Sequence, residues 1–182
     1  MKMKRVAAAV LFCIVFFAGI SASEAKSRDE INIGADATLA QFQKEVPGGS
    51  EFLKKAKGVL IFSGVIKAGF GVGGEYGEGV LRIDGKSEEY YSTAAASIGF
   101  QLGAQSKSIV IVFLEDKALA DFRKSDGWKA GVDGSVAIVK WGEGGDVNTM
   151  NIKDPIVGFV FSNKGLMFNL TIEGSKFTKI IR

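Results

Sequence analysis

The sequence has 182 residues, of which 23 are lysine or arginine and 20 are aspartate or glutamate, giving a formal net charge of +3. It contains one cysteine and no histidine, which excludes nucleophile systems that need a histidine base and removes the commonest zinc ligand. Its 24 glycines are about twice the ordinary share and favour a fold with sharp bends or close backbone contacts.

The first 25 residues have the pattern of a cleavable secretory signal peptide. Three basic residues precede an apolar run over residues 6–20, and Ser23 and Ala25 occupy the −3 and −1 positions of a cleavage site. The run is shorter than the roughly 20 residues that a membrane-spanning helix needs. We therefore expect residues 1–25 to be removed and residues 26–182 to form a single domain, either secreted or held in the periplasm or cell envelope.

Removal of residues 1–25 changes both the charge and the cysteine content. The segment holds three basic residues, one acidic residue and Cys13, so residues 26–182 carry 20 basic against 19 acidic side chains, a formal charge of +1. A nearly neutral domain argues against nucleic acid as a partner, because nucleic-acid-binding domains carry a strong basic excess. Without cysteine, the stability of the mature domain must come from packing rather than from disulfides.

Two helices are predicted at the start of the mature domain. Asp29–Val46 carries an apolar stripe at steps of three and four residues, and Pro47-Gly48-Gly49 ends it. Ser50 is predicted to cap a second, short helix, Glu51–Lys57, which ends at Gly58.

The rest of the chain is predicted to be mainly β-structure. Asp84-Gly85 is a two-residue turn of the kind that joins antiparallel strands, and Lys117–Arg123 is predicted to form one or two helical turns. The predicted strands cover residues 59–62, 80–83, 88–92, 97–105, 109–114, 130–140, 156–162 and 166–173. We therefore expect an α+β fold in which short N-terminal helices accompany a strongly curved or barrel-like antiparallel sheet.

Two patterns are similar to nucleotide-binding or catalytic motifs. Residues 69–74 match G-x-G-x-x-G, but residues 75–79 after them are poor helix formers and place carboxylates where a phosphate would bind, so we interpret the segment as a glycine-rich strand. Four glutamates could be the paired carboxylates of a hydrolase, but they are spread over turn-rich segments, where we expect them to be solvated. They are Glu75, Glu78, Glu88 and Glu89. We predict no catalytic residue, no metal site and no cofactor.

The candidate binding residues are lysines in and beyond the second helix. They are Lys54, Lys55, Lys57 and Lys67. Their ammonium groups could contact the phosphates of anionic lipids while Phe52 and Leu53 insert into the headgroup layer. The alternative is a solvated helix whose Phe52 and Leu53 face the core. Trp128 and Trp141 are likewise either interfacial anchors or residues of the rim or core.

Several separated motifs resemble those of the SYLF domain family. Ala56-Lys57-Gly58 resembles the start of the first strand in that family, and Lys67-Ala68-Gly69-Phe70 resembles the beginning of its glycine-rich segment. Similar motifs follow in the same order at residues 94–103, at residues 162–166 and at Glu173-Gly174-Ser175. The resemblance spans about residues 30–180, which is nearly the whole mature chain.

The resemblance implies a non-enzymatic lipid-binding module, whose eukaryotic relatives are associated with phosphoinositide membranes and with actin. An exported chain would meet neither cytosolic actin nor phosphoinositides, so we expect anionic phospholipid at a membrane surface as its partner. The helix before the first strand is lysine-rich in those relatives, whereas Lys44 is the only base of residues 29–46. A cell-envelope module that binds another protein or has a structural role is the alternative function.

Overall fold

The computed structural model describes residues 25–99, 104–139, 154–162, 165–166 and 172–182. Residues 1–24 of the expected signal peptide lie outside this range, as does Trp141. In chain order the elements are α1 (Arg28–Glu45), α2 (Gly49–Lys55), β1 (Gly58–Ile83), β2 (Lys86–Gly99), β3 (Ala104–Phe113), α3 (Asp116–Lys124), β4 (Trp128–Lys129), β5 (Ala137–Val139), β6 (Ile156–Ser162), β7 (Gly165–Leu166) and β8 (Lys176–Ile180).

A capping box fixes the start of helix α1. The backbone N–H of Glu30 donates to the Ser27 hydroxyl at 3.2 Å, and the backbone N–H of Ser27 donates to Glu30 Oε2 at 2.7 Å. The helix ends where Val46 adopts extended backbone before Pro47. Its buried side chains are those of Ile31, Ala35, Thr38 and Phe42. The predicted amphipathic helix is therefore confirmed.

Helix α2 has a different cap from the predicted one. Gly48, not Ser50, is the N-cap, and its φ of 76° lies in the left-handed region that glycine adopts without strain. This turn starts the helix at Gly49, before the serine is reached. The helix ends at Lys55, because Ala56 has already turned to extended backbone toward β1.

Strands β1 and β2 form a long hairpin joined by Asp84 and Gly85. Both turn residues have positive φ, 51° and 76°, as a type I′ turn requires, so the predicted turn is confirmed. β1 pairs with β2 over its residues 71–83 and with β3 over its residues 58–68. The chain that leaves the turn therefore runs antiparallel to β1 along nearly all of its 26 residues.

Strand β1 bends so sharply that its two halves contact each other. A Cβ built on Gly77 would lie 3.0 Å from the Cα of Val65. A Cβ built on Gly79 would lie only 2.6 Å from the ring of Phe62. Glycine permits this approach because it has no side chain to clash. Residues 69–74 lie inside the same strand, which confirms the interpretation of the glycine-rich motif as β-structure.

The strands of the described residues form one sheet. Its order is β4-β8-β2-β1-β3-β6-β5, and β7 pairs with β6 off this path. The pairings are antiparallel except for that of β5 with β6, which is parallel. With helices α1 and α2 preceding a sheet that folds back on itself, the predicted α+β fold with a strongly curved sheet is confirmed.

The sheet buries apolar side chains on both faces. Successive β1 residues alternate between two clusters, since Ile61 belongs to one and its neighbours Leu60 and Phe62 belong to the other. Helices α1 and α2 cover the first cluster, to which they contribute Phe42 and Phe52. All residues of both clusters lie between Ile31 and Phe177, so a chain that begins at Lys26 retains the whole described core.

Phe122 of α3 lies at the centre of the second cluster. Its ring centroid is 4.9 Å from that of Tyr91, 4.9 Å from that of Phe113 and 5.6 Å from that of Trp128. Trp128 is only 3% exposed. Of the two interpretations of this tryptophan, the structure therefore supports the core residue and not the interfacial anchor.

The prediction of a strand over residues 130–140 was wrong for most of the described part of this segment. Within its described part only Ala137–Val139 pairs as a strand, and the backbone N–H groups of Val132 and Asp133 both donate to the carbonyl of Lys129 in a turn. Gly131 permits this turn because its φ of 82° is left-handed. The apolar alternation in this segment therefore did not predict strand pairing.

The end of the chain also differs from its prediction. Residues 167–171 of the strand predicted over residues 166–173 lie outside the described part. Of its described residues, only Leu166 lies in a strand, while Glu173 and Gly174 form a turn. Strand β8, which was not predicted, pairs with β2 and inserts Phe177 into the core. Its short sequence holds one strongly buried apolar residue among lysines and threonine, which is too weak an alternation to identify it.

Candidate functional site

Three of the four predicted lysines lie at one corner of the domain. Lys54 and Lys55 occupy the last turn of α2, and both are exposed. Lys57 follows the helix, and its backbone N–H donates to the carbonyl of Phe113 at 2.8 Å. This bond holds the lysine at the start of β1, beside β3. We call Lys54, Lys55 and Lys57 the basic corner.

One lysine of the basic corner forms an exposed ion pair with an acidic neighbour. The ammonium of Lys57 lies 3.5 Å from the carboxylate of Asp116, but the two side chains are 47% and 83% exposed. Exposed ion pairs of this kind contribute about 0–1 kcal/mol, so a phosphate could replace Asp116 at little cost. Glu51 and Glu115 are also exposed near the corner in sequence, and they reduce the local excess of positive charge.

Lys67 lies apart from the basic corner. Ten residues of extended chain separate it from Lys57, which corresponds to about 30 Å at the usual rise of a strand. Its side chain is 21% exposed, and its ammonium lies 3.6 Å from the carboxylate of Glu75. The structure therefore brings Lys54, Lys55 and Lys57 together but does not bring Lys67 to them.

The apolar residues of α2 face the core. Phe52 is fully buried, and its ring centroid lies 5.1 Å from that of Phe159 in an edge-to-face contact. Leu53 is half-buried and packs against the same cluster. The interpretation of Phe52 and Leu53 as a membrane wedge is therefore wrong, because helix α2 uses both side chains to attach itself to the sheet.

Glu75 belongs to a buried ionic group and is not solvated as expected. Its side chain is 10% exposed, and its carboxylate contacts the ammonium of Lys107, which is 4% exposed. Lys67 completes the group from the other side. The prediction failed because the bend of β1 folds Glu75 back over residues of its first half and of β3.

Glu78 is also buried, and its carboxylate accepts four hydrogen bonds. The donors are the Tyr76 hydroxyl at 2.9 Å, the Lys26 backbone N–H at 3.1 Å, Arg182 Nε at 3.3 Å and Arg182 Nη2. Glu78 is 4% exposed. It lies beside a pocket of about 280 Å³ that Ala25, Lys26 and Arg182 also line. A residue expected in solvent is thus bound by both Lys26 and Arg182.

Glu89 forms a third ionic group on the surface of α3 and β8. It accepts hydrogen bonds from the Tyr91 hydroxyl at 2.7 Å, from the Lys179 ammonium at 2.6 Å and from Arg123, whose Nη2 lies at 3.0 Å. Burial opposes ionisation of Glu89, but these three donors outweigh it and lower its pKa from 4.5 to about 2. Of the four glutamates, Glu88 alone is exposed as expected.

The part of the chain that the structure describes holds neither a cluster of metal ligands nor a helix able to span a membrane. There, no three side chains of histidine, cysteine, aspartate or glutamate are grouped so that they could hold a metal ion. The helices of this part do not combine the length and the apolar character that crossing a bilayer requires.

Comparison with known proteins identifies the family of the chain. Residues 94–180 match the model of the Ysc84 family, described as Las17-binding protein actin regulator. SH3 domain-containing YSC84-like protein 1 is 31% identical to this chain over 128 residues in Bos taurus and in Homo sapiens, and 30% identical in Rattus norvegicus. Each alignment covers 68% of this chain and 37% of the relative, so the chain spans little more than a third of these curated relatives. Together with the ordered motifs along its sequence, these matches show that the chain belongs to the SYLF (Ysc84) family.

Proposed function

We propose that the mature domain is a non-catalytic binding module that contacts anionic phospholipid headgroups at a membrane surface. The observation that carries the proposal is the basic corner, in which three exposed lysines lie within four residues of sequence. Membership of the SYLF family supports a binding role. The signal pattern of residues 1–25 supports a membrane of the cell envelope as the surface that is bound.

The proposed contact is electrostatic. Because Phe52 is buried and Leu53 is half-buried against the core, the helix offers the bilayer little apolar surface, and the attraction must come mainly from the ammonium groups. A lysine near an anionic surface contributes about 1 kcal/mol, so the three together supply about 3 kcal/mol, or roughly a hundredfold in affinity. Such attraction is screened by salt within about 10 Å at 0.1 M ionic strength.

Vesicle co-sedimentation tests this proposal. The chain from Lys26 to Arg182 would be mixed with phosphatidylcholine vesicles that contain or lack phosphatidylglycerol or cardiolipin. We expect binding to the anionic vesicles alone, and we expect salt to release the protein. Replacing all three lysines of the basic corner with glutamate should weaken binding by at least about a hundredfold.

A matched variant distinguishes the effect of this surface from the effect of net charge. The triple variant Lys86→Glu, Lys124→Glu and Lys129→Glu makes the same change of charge at exposed positions away from the corner in sequence. It should retain most of the binding. Absence of binding by the native chain, or equal losses in the two triple variants, would contradict the proposed surface.

A protein partner is the second candidate, and the description of the matching family model favours it. The matching family model describes an actin regulator that binds Las17, and this module could bind a protein in the same way. Affinity capture from envelope extracts, with co-sedimentation on purified actin filaments, tests this function directly. A stoichiometric protein partner that is retained without lipid, and after the three corner lysines are changed to glutamate, would favour it over lipid binding.

A further inference from the structure

Glu78 lies where Lys26 and Arg182 meet in the folded chain. Its Oε2 atom accepts hydrogen bonds from the Lys26 backbone N–H at 3.1 Å and from Arg182 Nε at 3.3 Å. The second oxygen is held by Tyr76 and by Arg182 Nη2. These four donors fill the acceptor capacity of one carboxylate. The Lys26 nitrogen is the one donor of the four whose charge a cleavage could change.

The sequence places a cleavage pattern beside this nitrogen. Ser23 and Ala25 have the small side chains that signal peptidases select at positions −3 and −1, which would make Lys26 the first residue of the mature chain. Ala25 is exposed and borders the pocket next to Glu78. The scissile bond and the buried carboxylate are therefore close neighbours in the folded domain.

We propose that Glu78 is the acceptor for a new amino terminus, so that removal of residues 1–25 creates a buried ion pair between the Lys26 α-ammonium and the Glu78 carboxylate. The inference rests on the predicted cleavage and does not depend on lipid binding. Its chemistry is the hydrolysis of one peptide bond by water and a peptidase of the signal-peptidase class. The carboxylate remains on Ala25 of the released peptide, and the amine on Lys26 takes up a proton at neutral pH.

The Arg182 guanidinium shares Glu78 Oε2 with Lys26 and opposes a second positive charge there, but three other features of the surroundings favour it. A charged donor makes a hydrogen bond to a carboxylate about twice as strong as a neutral amide does, and Glu78 is buried enough to weaken screening by salt. The start of α1 would disfavour a nearby cation, but Asp29 and Glu30 in its first turn oppose that effect. The pocket of about 280 Å³ leaves space for the extra hydrogens of the ammonium group and for water.

Thermal unfolding of chains that differ only at their start tests the inference. One chain begins at Lys26 with a free amine, a second retains Ala25 in front of it, and a third begins at Lys26 with an acetylated amine. We expect the first to have the highest Tm, by about 2–8 °C over both others. Equal Tm values for the free and the acetylated forms would overturn the inference.

The variant Glu78→Gln identifies the acceptor. In that variant, acetylation of the Lys26 amine should change Tm by less than about 1 °C. The control variant Tyr76→Phe keeps the carboxylate, so its free and acetylated chains should differ in Tm as much as the native ones do. A difference that survives in Glu78→Gln would show that another group receives the amine.

A measurement without substitution covers the case in which Glu78→Gln does not fold. In about 1 M sodium chloride the Debye length falls to about 3 Å, which removes the effect of exposed charges but not that of a buried pair. The difference in Tm between the free and acetylated chains should therefore remain in high salt. Its disappearance would show that the amine acts as a surface charge, and the inference would be wrong.

Discussion

Gly79 lies directly against the carbonyl oxygen of Ile61, although both residues belong to the same strand. The contact exists because β1 folds back across itself, so that residues near its end meet residues near its beginning. A side chain at position 79 would occupy space already filled by a backbone oxygen and by the ring of Phe62. The curvature of the sheet thus depends on a residue without a side chain at this crossing.

The substitution Gly79→Ala should therefore destabilise the domain severely. The added methyl group would have to displace backbone, which costs about 3 kcal/mol when a packed interior cannot adjust. Urea unfolding of the chain from Lys26 to Arg182 measures the loss. Gly74→Ala is the matched control, because its Cβ would meet no atom closer than 3.7 Å, and it should change stability by less than about 0.5 kcal/mol. Similar losses in the two variants would contradict the crossing.

Phe122 should be among the most sensitive positions of the core. It contacts four other aromatic rings, so Phe122→Ala removes edge-to-face and tilted ring contacts as well as buried area and should cost about 3–5 kcal/mol. Phe122→Leu keeps most of the volume and should cost about 1.5 kcal/mol. The fluorescence of Trp128, which lies beside this ring, reports the unfolding transition. Val132→Ala, at a position that is 75% exposed, serves as the neutral control.

The buried ionic group in the bend should show strong coupling between its members. Glu75→Gln leaves the Lys107 ammonium buried without its carboxylate, which should cost about 3–5 kcal/mol. Adding Lys107→Met removes the uncompensated charge and should restore much of that loss. Urea unfolding of the two single variants and the double variant completes the cycle. Additive losses would show that the two side chains do not act as a pair.

The stability of the domain should depend on pH through Glu89. Because its pKa is lowered from 4.5 to about 2 in the folded state, the stabilisation from its ionised form is complete above about pH 4.5 and is lost as the pH falls toward 2. At pH 7 Glu89→Gln should therefore lower the urea midpoint, and the difference from the native chain should shrink below pH 4.5. Glu88→Gln, at the exposed neighbouring position, is the matched control for the loss of one carboxylate. A constant difference between pH 7 and pH 2.5 would rule out this role for ionised Glu89.

Local patterns were sufficient to predict the helices and the first hairpin. The apolar stripe of α1 and the Asp84-Gly85 turn both act over a few residues, and both predictions are confirmed. Strand β8 and the burial of Glu75 depend on partners far away in sequence. Thr93 of β2, for example, pairs with Phe177 across 84 residues. No local pattern encodes contacts of that kind.

The candidate site also combines features that local sequence determines with features that depend on distant parts of the chain. The exposure of Lys54 and Lys55 follows from their place on the polar face of α2, but the separation of Lys67 from them follows from the length of β1. The alternation of buried and exposed side chains along β1 was the signal that could have predicted the burial of Glu78. Residue 78 shares a face with the buried Val80 if the strand continues through the glycine-rich segment. A sequence interpretation that divides β1 into several short strands loses that alternation.

The crossing of β1 also bears on how quickly the domain folds. Its contacts become possible only after a 26-residue strand has bent and strands from distant parts of the chain have joined it, as Gly58 joins Phe113 and Tyr90 joins Ile180. Sheets with such non-local pairing fold over milliseconds to seconds, far more slowly than helical domains of similar size. In the proposed export route, this delay would keep the newly made precursor extended long enough to be threaded across a membrane before its core closes.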